Sequence, residues 1–112
     1  MISKELISEV LNIPKEAIMD IYTDGNYLLI RKTNSRVEEY NIYGFAFKCK
    51  EWAENKGYII FSKNKECLIY SIDEVYDVIE CLNQYEDYFE ADTECEAIFK
   101  ACEWILKNKA ND

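Results

Sequence analysis

Apolar residues recur along this chain at two spacings, and the changes of spacing mark the predicted elements. Leu6, Ile7, Val10 and Leu11 form one helical stripe behind Ser3, a residue type suited to capping a helix N-terminus. Asn12-Ile13-Pro14 predicts the end of that helix, because the residue before a proline is driven out of the helical region. Residues 17–22 and 27–32 then read as strands rich in Ile, Leu and Tyr. Thr23-Asp24-Gly25-Asn26 between them holds the Asp-Gly pair of a tight hairpin. Residues 34–39 are polar and read as a loop.

From Asn41 the spacing turns helical again: Ile42, Phe45, Ala46, Cys49, Trp52 and Ala53 share a face, and Asn55-Lys56-Gly57 reads as a stop. Residues 58–61 and 67–70 predict a second hairpin around 62–66. Ser71-Ile72-Asp73-Glu74 has the serine-to-glutamate spacing of a capping box, followed by Ile72, Val75, Ile79 and Leu82 on one helical face. Residues 88–91 read as a short final strand. Thr93-Glu94-Cys95-Glu96 is a second capping box, and Cys95, Ile98, Cys102 and Ile105 form the apolar stripe behind it. The pattern predicts a single α+β domain over residues 1–112. Its antiparallel sheet is built from hairpins, and three to four helices, around 42–56, 72–84 and 93–108 with one at the N-terminus, pack mainly on one face.

One short echo crosses this pattern. Phe47-Lys48-Cys49-Lys50-Glu51-Trp52 and Phe99-Lys100-Ala101-Cys102-Glu103-Trp104 agree at four of six positions, including both tryptophans of the chain. Two similar helices packing a Trp against one sheet account for this echo, and six residues are too few to establish a duplication.

Charge changes the picture more than composition does. The formal net charge is -9, yet no lysine or arginine occurs between Glu66 and Lys100, a stretch with eleven acidic residues. The remaining residues hold eleven acidic and thirteen basic side chains, so the negative charge belongs to one block. Such a block repels nucleic acid and acidic membranes and attracts basic surfaces. Apolar residues make up 49% of the chain, well beyond a disordered acidic segment. Five cysteines without a C-x-x-C pair, no signal-peptide order at the start and no apolar run of spanning length predict a cytoplasmic protein with free, mostly buried thiols.

The segments Asn41-Ile42-Tyr43, 48–53 and 93–106 resemble a group of small bacterial proteins encoded with prophages and other mobile elements. The resemblance covers about a quarter of the chain and implies a mobile-element origin; it carries no activity, cofactor or site residue.

The residue inventory narrows the chemistry. Histidine is absent, which removes the commonest general base near neutral pH, the usual Cys–His and Ser–His pairs and most zinc sites. Gly25, Gly44 and Gly57 stand alone, with no phosphate-binding loop. A calcium loop starting at Asp20 fails, because Tyr22 and Arg31 would fall at ligand positions. Glu94 and Glu96 fit the first turn of a helix, where negative charge offsets the helix dipole. No cofactor and no metal ligands are expected, and no carboxylate pair stands out as acid and base.

The expectation is therefore a non-enzymatic accessory protein that acts by protein–protein interaction. Its predicted binding surface is acidic and carries tyrosines: Asp73, Asp77, Glu80, Tyr85, Glu86, Asp87, Tyr88 and Glu90. Tyr76 and Phe89 read as core residues instead. Two alternatives remain open: a nucleic-acid mimic that binds a basic DNA-binding protein, and a small-ligand or carboxylate-based catalytic domain, which requires a concave pocket. Direct nucleic-acid or membrane partners are not expected, and a homo-oligomer is compatible with the sequence.

Overall fold

The computed structural model of the chain describes residues 2–33, 36–71 and 87–109. Helix α1 (Lys4–Leu11) starts at the predicted cap, where Ser3 Oγ accepts the Leu6 N–H at 3.1 Å. It ends at Asn12, whose left-handed backbone (φ 56°) turns its N–H onto the Ser8 carbonyl. Asparagine tolerates that conformation better than most residues. A short turn of 3-10 helix (Lys15–Ala17) leads into β1 (Ile18–Asp24), which pairs antiparallel with β2 (Tyr27–Lys32). Gly25, the first residue of the connecting turn, has φ 61°, so the Asp-Gly hairpin forms as its sequence indicates.

The polar stretch read as a loop contains a strand. Val37–Asn41 forms β3, antiparallel to β2; residues 34 and 35 lie outside the described part. Its Glu-Glu-Tyr polarity hid it, because an edge strand accommodates charge that a central strand excludes. Glu38 pairs with Lys32 (Nζ–Oε1 2.7 Å) and also accepts the Tyr40 hydroxyl.

Helix α2 (Ile42–Asn55) follows β3 directly. Asn41 Oδ1 caps it by accepting the Tyr43 and Gly44 N–H groups at 2.9 and 3.2 Å. Phe45, Ala46, Cys49, Trp52 and Ala53 are buried, the face their spacing predicts. The chain then turns through Gly57 into β4 (Tyr58–Lys63) and β5 (Glu66–Ser71), an antiparallel hairpin. Strand β6 (Asp87–Glu90) pairs with β5, and Thr93 caps α3 (Glu94–Lys109) by accepting the Glu96 N–H at 3.1 Å. Glu94 and Glu96 stand in its first turn. The helix predicted over 72–84, with Tyr76, lies outside the described residues.

The class is α+β, and three helices stand among the described residues. The hairpins do not feed one sheet: β1-β2-β3 and β4-β5-β6 are separate three-stranded antiparallel sheets. One core nevertheless joins them. Leu6 and Ile7 of α1, Leu28 and Ile30 of β2, Phe45 of α2, Ile69 of β5 and Ile105 of α3 all belong to it. The rings of Phe45 and Phe99 meet across α2 and α3 with centroids 5.5 Å apart. Cys49, Cys67, Cys95 and Cys102 are free and buried, in keeping with a core role for the described cysteines. None of the described helices is long and apolar enough to cross a membrane.

Among the described residues the structure repeats a three-stranded antiparallel sheet followed by a helix. The sequence echo falls on the two corresponding helices, and the caps Asn41 and Thr93 are 52 positions apart, as are Trp52 and Trp104. The copies are not environmentally equivalent: Phe47 is 65% exposed, whereas its counterpart Phe99 is 5% exposed. Helix α3 buries a wider face than α2, including Ala97, Phe99 and Ala101 in addition to the stripe of Cys95, Ile98, Cys102 and Ile105.

Candidate functional site

In the second sheet the register aligns Phe61, Leu68 and Tyr88 across three neighbouring strands. Directly paired residues share a face, so these three side chains form one row. Ile59 and Tyr70 make the row on one side of it; Lys63, Glu66 and Glu90 make the row on the other. The opposite face carries Ile60, Cys67, Ile69 and Phe89 and turns toward α3, where the Cys67 thiol donates to the Ala97 carbonyl at 3.1 Å.

The solvent face of an antiparallel sheet is ordinarily polar. Here Phe61 is 56% and Tyr88 38% exposed, with half-buried Leu68 between them. Phe61 stands edge-on to the buried Tyr70, with ring centroids 5.2 Å apart and an interplanar angle of 89°. The face is therefore open at Phe61 and Tyr88 and covered at Tyr70.

The acidic row beside it contains an electrostatic conflict. Glu66 and Glu90 are directly opposed across β5 and β6, a position in which like charges destabilise a sheet. The Tyr88 hydroxyl donates to Glu90 Oε1, and the Tyr88 N–H donates to Asp87 Oδ1 at 2.8 Å. The Glu90 hydrogen bond, with desolvation and Glu66 adding to it, pushes the Tyr88 hydroxyl well above the usual tyrosine range. Tyr88 is thus held as a neutral donor beside two carboxylates.

Of the eight residues predicted for an acidic, tyrosine-bearing surface, Asp73, Asp77, Glu80, Tyr85 and Glu86 lie outside the described residues. Tyr88 and Glu90 do share the exposed face. Asp87 does not: it pairs with Ile69 and stands half-buried on the core-facing side, because alternation along β6 sends it opposite to Tyr88. Phe89 packs against the core, as read from the sequence. The prediction missed Phe61, Leu68 and Glu66, which β4 and β5 bring beside β6. The available signal was the unbroken apolar runs at 58–61 and 67–70, which place apolar side chains on both faces of their strands.

A concavity of about 920 Å³ lies between β1 and α3. Ile21, Ile42 and Phe99 line it together with Glu96, Lys100 and Glu103. Two of these polar groups are committed: Lys100 donates to the Glu90 carbonyl at 2.8 Å, and Glu103 accepts from both the hydroxyl and the N–H of Ser3 at 2.7 and 3.1 Å. Cys95 borders the cleft, but burial and then Glu94 and Glu96 push its thiol pKa up, which keeps it protonated and weakly nucleophilic. The Cys49 thiol is pushed up further, first by its hydrogen bond with Cys102 and then by burial. Among the described residues no group of three or more Cys, Asp or Glu side chains is placed to hold a metal ion.

Comparison with known proteins returns no match: no family model, no curated protein and no solved structure is similar to this chain.

Proposed function

We propose that this chain is a non-enzymatic binding module that engages a partner protein through the outer face of its second sheet. The observation that carries this reading is the row Phe61–Leu68–Tyr88, apolar and open on a sheet face where polar residues are the rule. Tyrosine and phenylalanine are enriched in the cores of protein interfaces, and the surrounding rim is polar. The rim here is Lys63, Glu66 and Glu90, one positive and two negative charges, which selects a partner presenting Lys or Arg to the two carboxylates beside an apolar side chain. A guanidinium placed there would relieve the opposed carboxylates and stack on the exposed rings. The resemblance to mobile-element proteins adds that the module serves such an element inside the bacterial cytoplasm.

Affinity capture from cells of the source organism tests the reading, using the wild-type chain and Phe61→Ser at low and high salt, with and without competing DNA. A partner retained by the wild-type chain, weakened by salt and lost with Phe61→Ser supports it. Competition by DNA would identify that partner as a DNA-binding protein. Equal capture by both chains, or no specific partner in any condition, counts against the proposal.

A further inference from the structure

We infer a second binding site, independent of the first: the cleft between β1 and α3 takes an extended, largely apolar peptide segment of a partner protein, which adds to the free edge of β1 as a fourth strand. The argument begins with topology. In the order β1-β2-β3, β1 is terminal, so only one of its edges is paired. The Ile18 N–H turns back onto the Lys15 carbonyl; among the described residues, no backbone hydrogen bond outside the β1–β2 ladder uses Met19–Asp24. Three consecutive residues, Ile21, Tyr22 and Thr23, border the cleft. Successive side chains of a strand point to opposite faces, so a space touched by all three reaches the strand's edge, and Gly25, Asn26, Ile42 and Tyr43 close it at the turn end.

The other wall is helical. The cleft follows α3 from Thr93 to Lys107, which at 1.5 Å per residue is about 21 Å. An extended strand rises about 3.3 Å per residue, so the trough accommodates about six residues. An edge strand facing a helix across a trough of this length supplies both parts of strand addition. Main-chain groups of the edge hold the peptide, and alternate side chains enter the groove.

The lining also fixes the occupant's chemistry. The floor beside Ile21 is Ile42, Cys95 and Phe99, which suits apolar side chains at alternate positions of the peptide. The α3 wall displays Glu96, Lys100, Glu103 and Lys107, two of each sign, and none of them forms an ion pair within 4 Å among the described residues. This wall is neutral in a chain of charge -9. It therefore complements a segment of low net charge and offers nothing to the basic segment that fits the Glu66–Glu90 rim. The edge itself is left receptive. The bulge that disrupts pairing in β1 sits at Ile18–Asp20, before the Ile21-Tyr22-Thr23 stretch, and that stretch itself carries no charge between Asp20 and Asp24.

The test selects peptides from a displayed library of random heptapeptides on the full chain and measures the best of them by fluorescence anisotropy. The expected peptides alternate apolar residues and protect the amides of Ile21 and Thr23, which point away from β2, from hydrogen exchange. Backbone N-methylation of the peptide should lower affinity about tenfold at alternate positions and little at those between, the signature of edge hydrogen bonding. This readout leaves the protein unchanged, so it cannot be confused with misfolding. Selection of no peptide overturns the inference, as does equal tolerance of N-methylation at every position. Protection confined to β4–β6, or a dimer whose β1 amides are protected without peptide, overturns it too; protection on β4–β6 would at the same time support the first site.

Discussion

Ser3 joins the start of the chain to helix α3 through two hydrogen bonds and caps α1 with a third, and replacing it measures how much that junction contributes. Its Oγ accepts the Leu6 N–H at 3.1 Å and donates to Glu103 Oε1 at 2.7 Å, while its own N–H donates to the same oxygen at 3.1 Å. Ser3→Ala removes the cap, at about 1 kcal/mol. It also removes a hydroxyl bond to a carboxylate, worth about 1.5 kcal/mol at the low end appropriate to a partly exposed site. Together these predict a loss of roughly 2–3 kcal/mol and, at about 4 °C per kcal/mol for a domain of this size, a fall in Tm of roughly 8–12 °C. Ser3→Asp separates the two contributions. It can cap α1 but brings a carboxylate against Glu103, so it should be no more stable than Ser3→Ala. Urea denaturation of Ser3→Ala, Glu103→Ala and the double variant should give a coupling of about 1 kcal/mol or more. A cost for Ser3→Ala below about 0.5 kcal/mol, or strictly additive single variants, would refute the reasoning.

Further predictions follow from other parts of the fold. Lys32, and then the Tyr40 hydroxyl, hold Glu38 below the usual carboxylate range, so its contribution is present above the unfolded-state pKa and lost as pH falls through the folded one. The difference in urea midpoint between wild type and Glu38→Gln should therefore narrow between neutral pH and the acid limb. Burial, and then Glu38, raise Tyr40 to about 12, so stability present below the unfolded tyrosine pKa, about 10, declines as pH rises toward 12; Tyr40→Phe should flatten that alkaline decline. Gly25→Ala should cost about 1 kcal/mol in a thermal melt although nothing stands within 4 Å of an added Cβ, because φ 61° alone opposes it. Asn64→Gly, at φ 55° in the second hairpin, should be neutral or stabilising by the same measurement. Cys49 and Cys102, fully buried and with the Cys49 thiol pushed up by Cys102, should resist a thiol reagent at mildly alkaline pH until the protein unfolds; mass spectrometry showing rapid native-state modification would contradict their placement.

Local structure was legible wherever a residue acts on its near neighbours. The caps at Ser3 and Thr93, the Asp-Gly turn and the buried stripe of α2 all follow from chemistry within a few positions. Strand β3 was not legible, because Glu38 is matched by Lys32 of the adjacent strand, a pairing that sequence spacing does not display. The division into two sheets was hidden for the same reason: hairpins specify their own pairing and not their assembly with other hairpins. At the binding face, Tyr88 and Glu90 were found through their acidic context, and Asp87 was misplaced by treating neighbours in sequence as neighbours on a surface. Phe61 and Leu68 enter the face only through the register of β4, β5 and β6.

The central claim is that this outer face binds, and a matched pair of phenylalanine variants tests it most directly. Phe61 and Phe47 are both more than half exposed, but Phe47 lies on α2 and not on the second sheet. With the captured partner in hand, Phe61→Ser should weaken binding about 30-fold, the loss of an interface anchor worth about 2 kcal/mol, while Phe47→Ser leaves the Kd unchanged. Equal effects of the two substitutions, or none from Phe61→Ser in a folded chain, would contradict the account.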